Sequence, residues 1–179
     1  MSSKRPRYDV RLSSAPVWIS VLLVGISVIE WLSVYSELPD YVASSFGGEG
    51  VPQGWTARRG FLMGYLVATA FQLVMLFVIP WALRRSDPSR TRVPNRDYWI
   101  APERYPQTLS YIGNACRWML VATLAFSAAV VHLVFEANLE TGKLSVAFLW
   151  LLGAYFGYMF VWFVRFFRGF RRPANREQG

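Results

Sequence analysis

Residues 15–35 read APVWISVLLVGISVIEWLSVY, with Glu30 the single charged side chain in the run. A helix needs about 20 mostly apolar residues to cross the hydrocarbon of a bilayer. A core helix of a soluble protein of this length would carry a polar stripe, and this one carries almost none. The basic residues Lys4, Arg5 and Arg7 precede it, so a secretory signal is the competing reading. A signal's apolar core is about 7–15 residues long and leads to a small-residue cleavage site. The run here is longer and no such site follows, so it reads as a retained helix.

Three further runs have the same character: GFLMGYLVATAFQLVMLFVIPWAL (60–83), IGNACRWMLVATLAFSAAVVHLVFEA (112–137) and SVAFLWLLGAYFGYMFVWFVRFF (145–167). Of the 179 residues, 54% are hydrophobic and 17% charged, against about 25% charged in soluble domains. The sequence predicts an all-α membrane protein, a bundle of four transmembrane helices over 15–167. Residues 1–14 form a cytoplasmic N-terminal segment and 168–179 a basic cytoplasmic tail. Pro80, in the last turn of the second span, should bend or fray that end.

Lys and Arg set the direction. Lys4, Arg5, Arg7 and Arg11 precede the first span. Arg84, Arg85, Arg90, Arg92, Arg96 and Arg104 follow the second, and Arg165, Arg168, Arg171, Arg172 and Arg176 close the chain. Only Arg58, Arg59 and Lys143 fall on the other side. Short cytoplasmic loops carry the basic excess. The expectation is a multi-pass protein of the cell (inner) membrane with both termini cytoplasmic, and an ordered outer loop between the first two helices. Arg117 sits where it could snorkel to the inner interface.

The net charge of +8 is therefore a topology signal. With no groove-binding or base-stacking module, nucleic acid is not an expected partner. Cys116 is the only cysteine, which excludes an internal disulfide and any zinc-type spacing. There is no nucleophile–base arrangement and no phosphate-cradling loop: Gly47-Gly48-Glu49-Gly50 lacks the Lys and Ser/Thr of a P-loop. No cofactor and no metal are expected.

An ionisable residue inside a span is costly and marks a candidate site. Glu30, His132 and Glu136 qualify. His132 and Glu136 are four apart and share a helix face. Ala122, Ala125 and Ala129 continue that stripe, and small residues favour close helix approach, so the face should look into the bundle. Glu30 and His132 each lie about five residues below the outer ends of their spans, so the three should meet just below the outer surface. Such a cluster would either pin two helices or respond to protons or cations, since histidine as a residue type titrates near neutrality. Gln72 shares a register with Gly60, Gly64 and Ala68 and should bond a neighbouring helix. Gly153-x-x-x-Gly157 is a close-packing motif, used within the bundle, in a homo-oligomer, or against another membrane protein.

The loop ELPDYVASSFGGEGVPQGW, residues 37–55, resembles that of the bacterial membrane family called domain of unknown function 1648. Leu38-Pro39-Asp40, Phe46-Gly47, Gly50-x-Pro52 and Trp55 match, while Ser45 and Gln53 stand where members often have His and Asp. The connector VPNRDYWIAPERYPQTL, residues 93–109, is similar too, through Pro94, Asn95, Tyr98, Trp99, Pro102, Glu103, Arg104 and Thr108, as is the pair Ala137-Asn138. The likeness covers roughly residues 15–140. It implies a membrane protein with little assigned chemistry. Longer members, with additional C-terminal helices, resemble SdpI-type immunity proteins, and this chain would be a truncated relative. From the residues, the loop should fold as a cap stapled by Trp55, and the connector should lie on the inner leaflet, its arginines drawing anionic lipid headgroups. The expected role is non-enzymatic: accessory, sensing or immunity-like, through intramembrane and loop contacts. The alternative is a component of a proton- or cation-coupled transporter using Glu30, His132 and Glu136.

Overall fold

The computed structural model describes residues 9–171. Lys4, Arg5, Arg7, Arg172 and Arg176 of the predicted basic flanks lie outside them. Four helices are long and apolar enough to cross a membrane: α1 (Ala15–Val34), α2 (Arg58–Arg84), α4 (Tyr105–Glu136) and α5 (Ala147–Arg168). A single turn, α3 (Arg96–Trp99), lies between α2 and α4. Pro16 and Pro106 stand in the first turns of α1 and α4, where a missing N–H costs nothing.

Two expectations need correction. The chain is mostly helical but not all-α: Tyr41–Phe46 (β1) and Pro52–Ala57 (β2) form an antiparallel hairpin between α1 and α2. The pairing is irregular past Ala43, and Val42 and Ala43 are buried side by side, so the run lacks the strict alternation that reveals a strand. The third span was expected to start at residue 112, and α4 starts at Tyr105. Its first turns are polar in sequence but packed: Tyr105, Thr108 and Leu109 are almost wholly buried.

α4 is the hub. It packs against α1, α2 and α5, whereas α1 and α2 touch each other sparsely. α5 rests chiefly on α4, and none of its residues is buried. The core is split between the two ends of the bundle. Trp31, Leu38, Val42, Val131, Val134 and Phe135 pack together at the hairpin end. Val10, Tyr105 and Leu109 form the other cluster. Residues 11–13 meet the start of α4 there: Ser110 Oγ accepts from the Arg11 amide at 2.9 Å, and Asn114 Oδ1 from the Ser13 amide at 2.8 Å.

Pro80 is buried within α2, and the helix runs through it to Arg84. Proline offers no N–H, so the carbonyl four residues back, on Leu76, loses its helical donor. Arg117 replaces it, donating from Nη2 to Leu76 O at 3.4 Å and from Nη1 to Ser13 O at 3.0 Å. Arg117 thus bridges two backbones, at Leu76 and at Ser13.

Candidate functional site

The strongest polar contact between spans joins α1 to α4. His132 Nδ1 and Glu30 Oε1 lie 2.6 Å apart. The expectation that these residues meet is met for the pair but not for the third member. Glu136 is half-buried and makes no hydrogen bond or ion pair among the described residues. No group of three His, Cys, Asp or Glu side chains is placed for a metal ion there either.

The face is also turned. The His132 side chain is 65% exposed and that of Glu30 23%, so the pair sits on the flank of the bundle. Val131, Val134 and Phe135 decide this by packing against Trp31; Trp31 and Phe135 meet edge to face, 4.7 Å between centroids. Each residue along a helix turns about 100°. Seating Val131 and Phe135 therefore swings His132 and Glu136 off the buried face. Chemically, the pair can share or pass one proton between imidazole and carboxylate, and it links two helices.

Of the residues expected to serve helix packing, Gly153 and Gly157 are not used within the described bundle, which leaves their intermolecular alternatives open, and Gly60 and Gly64 meet no neighbouring helix. Gly64, Gly153 and Gly157 have open space where a Cβ would stand, and Gly60 meets only Thr56 of its own chain segment. Gln72 bonds no neighbouring helix: its buried Oε1 has no partner.

At the hairpin end, the expected staple, Trp55, is not the residue that enters the core. Trp55 is 61% exposed, sits opposite Ala43 on the hairpin and is not part of the core cluster at this end. The staples are Leu38 and Val42, which enter the core beside Trp31. Asn138 provides a second attachment. Its Oδ1 accepts from the Ala43 amide at 2.8 Å, and its Nδ2 donates to Ala43 O at 3.1 Å and Val134 O at 2.8 Å. The side chain thereby stands in for a neighbouring strand, presented by the wide turn Ala137–Thr141. Arg58 holds the other side, donating to Tyr35 O and Leu38 O and pairing with Asp40 at 3.3 Å. A cation at these carbonyls suits the negative C-terminus of α1. Gly50 takes a φ of 73°, and a Cβ there would meet the Leu144 carbonyl; that same segment bonds Gly50 O through the Leu144 amide at 2.8 Å. Pro39 is exposed, Phe46 and Pro52 half-buried, and Gly47 lies against Gln53.

The connector residues tie the far end together. Asn95, in the left-handed region at φ 52°, and the Trp99 indole both donate to Phe170 O at 2.9 Å. Thr108 Oγ1 donates to Trp99 O at 2.9 Å, and the Arg104 guanidinium lies 4.2 Å from the Tyr98 ring centre. Phe170 is 1% exposed. The segment therefore packs onto the bundle, clamping the end of α5, with Pro94, Pro102 and Glu103 on its exposed side.

Neither the Asn138 bridge nor the Arg117 bridge was assigned from sequence. Pro80 was the one available signal, since an intrahelical proline always leaves a carbonyl to be satisfied.

No family model matches the chain, and no solved structure matches it. Part of the sequence is similar to the tRNA 5-methylaminomethyl-2-thiouridine biosynthesis bifunctional protein MnmC of Cupriavidus metallidurans, at 37% identity over 62 residues. That stretch is 35% of this chain and 8% of the bifunctional protein's length, so the chain spans under a tenth of that relative.

Proposed function

We propose that this is a non-enzymatic accessory protein of the cell membrane, acting by docking another transmembrane segment on α5. The supporting observation is the state of Gly153 and Gly157. Both lie on an exposed face with open space beyond them, on a helix that buries no residue of its own. Small residues spaced by four let helix backbones approach closely in a bilayer, and no helix among the described residues uses them. The basic excess on the residue 84–104 connection and at Arg165, Arg168 and Arg171 supports a cytoplasmic placement of that end and of both termini. The same arginines would attract anionic headgroups; the Arg85 guanidinium already lies 4.3 Å from the Trp81 ring centre, a common interfacial arrangement. The likeness to the domain of unknown function 1648 family is part of the proposal, with sensing or immunity-like roles as its specific forms.

The experiment is a Gly153→Cys variant, oxidatively crosslinked in native membranes, with Cys116 replaced by Ala. An adduct with a second copy or with another membrane protein is expected, and Gly157→Leu should abolish it. No adduct in intact membranes would refute the docking role. The second reading, proton-coupled transport, draws on the 2.6 Å Glu30–His132 contact. It requires pH-driven flux in proteoliposomes that is lost in Glu30→Gln.

A further inference from the structure

A groove of about 360 Å³ runs between α4 and α5 at the basic end of the bundle. The two helices are antiparallel there: the Tyr111 hydroxyl meets the backbone of Arg165 and Phe166, and the Tyr158 hydroxyl that of Trp118. One wall is a stack of rings. Tyr111 and Phe166 lie nearly parallel with centroids 5.8 Å apart, and Phe166 and Trp162 likewise at 5.2 Å. The polar tips of these walls are already engaged. Tyr111 Oη donates to Arg165 O and Phe166 O, both at 3.1 Å, Tyr158 Oη to Trp118 O at 3.4 Å, and Trp162 Nε1 to Ala115 O at 3.0 Å.

The charged member of the lining is not engaged. Arg165 lines the groove and is exposed, and its side chain makes no hydrogen bond or ion pair among the described residues. Arg168, three residues on, shares its face and is likewise exposed and unpaired among the described residues. An exposed arginine by itself would be ordinary. Here it stands at one end of a groove that continues past Val161 and Trp118. Tyr158, also in the lining, lies seven residues from Arg165, roughly 10 Å along the axis, toward the middle of the helix.

The occupant's chemistry follows from this order. A guanidinium stays charged and only donates, so the group facing it is an acceptor and an anion, and phosphate oxygens suit its fork. A free anion would leave the apolar length of the groove without a contact. A partner helix fits poorly, since helix docking in membranes favours small-residue faces and Trp118 and Tyr158 flank this groove. A phospholipid supplies both parts: a phosphate at the helix end, where basic residues meet headgroups, and methylenes along the next two turns.

We infer that this groove holds one anionic glycerophospholipid, with its phosphate on Arg165 and Arg168 and the upper part of one acyl chain against Trp118 and Val161. This is a single site, beyond the general attraction of the basic end for headgroups. It rests on the helices lying in a bilayer and not on the docking face of α5. At about 100° per residue, Arg165 stands roughly 80° round the helix from Gly157 and 120° from Gly153.

The test is native mass spectrometry of the full chain in mild detergent, with equimolar dioleoylphosphatidylglycerol and dioleoylphosphatidylcholine. The first adduct should favour phosphatidylglycerol at least fivefold, the weight of one guanidinium at an anionic surface. Arg165→Gln should lower that preference about fivefold, and Arg165→Lys should keep most of it. Arg90→Gln removes the same charge from an exposed residue outside the groove and should leave the preference unchanged. Val161→Trp, at a position 53% exposed, should fill the groove and suppress the first adduct, whereas Leu149→Trp, at the other end of α5, should not. Glycerophosphoglycerol, the headgroup without its chains, should not displace the lipid at equal concentration. Equal losses in Arg165→Gln and Arg90→Gln would mean charge attraction without a site and would overturn the proposal. So would an adduct that Val161→Trp leaves intact, which is annular lipid, or displacement by glycerophosphoglycerol, which is a free-anion site. Recovery of the chain from the soluble fraction of lysed cells would refute the bilayer placement itself.

Discussion

Replacing Arg117 with Met should destabilise the protein, and replacing Pro80 with Ala should remove part of that cost. Arg117 donates to Leu76 O at 3.4 Å and to Ser13 O at 3.0 Å. Hydrogen bonds to charged groups contribute about 1.5–3 kcal/mol in soluble proteins, but interhelical bonds in membranes average about 0.6 and reach about 1.7 kcal/mol. The 3.4 Å contact belongs near the lower value and the 3.0 Å contact near the upper, so Arg117→Met should cost about 2 kcal/mol. In Pro80→Ala the restored amide at position 80 bonds Leu76 O within the helix. Arg117→Met should then cost only the Ser13 bond. The coupling in the double-mutant cycle should be about 0.6–1 kcal/mol. The packing lost with the buried proline ring appears in both Pro80→Ala members and cancels. Unfolding in a detergent mixture titrated with dodecyl sulfate, followed by helical circular dichroism, gives the four stabilities. Additivity within about 0.3 kcal/mol would show that Arg117 does not serve the proline's orphan carbonyl.

Asn138→Leu deletes three hydrogen bonds and strands the Ala43 amide and carbonyl; a loss of about 2–4 kcal/mol is expected, with faster amide exchange at Ala43 reporting a detached hairpin. Unchanged exchange there would exclude the bridging role. Gly50→Ala meets both the positive φ and the Leu144 carbonyl and should cost about 1–3 kcal/mol, while Gly48→Ala, with open space around it, should be near neutral in the same melts. Glu30→Leu and His132→Ala should each lower the melting midpoint and show no further loss when combined. Glu136→Gln should leave it in place; a drop equal to that of Glu30→Leu would restore Glu136 to the cluster.

The four long apolar helices were legible because being long and apolar enough to cross a bilayer is a local property: each helix satisfies its own backbone, and only its own apolar length matters. The starts of α1 and α2 therefore fall within about two residues of the expected ones. The start of α4 did not, since Tyr105 is a polar residue buried in a cluster with partners distant in sequence, Val10 and Leu83 among them. Pairing of Glu30 with His132 was legible from depth alone, because equal rise along two adjacent helices sets equal level. Rotation was not. Which side of α4 faces inward depends on how Val131, Val134 and Phe135 seat against Trp31, and that packing turned His132 outward and left Glu136 out of the pair.

By itself, then, the sequence determined four apolar helices, their connections and the separation of basic from non-basic ends. All of these are properties of short stretches weighed against water and hydrocarbon. Only the tertiary structure decided that α4 is the hub, that α5 keeps an uncovered glycine face, and that α1 and α2 part along an apolar groove. Those outcomes depend on side chains far apart in the chain competing for the same space, and no single segment carries that information.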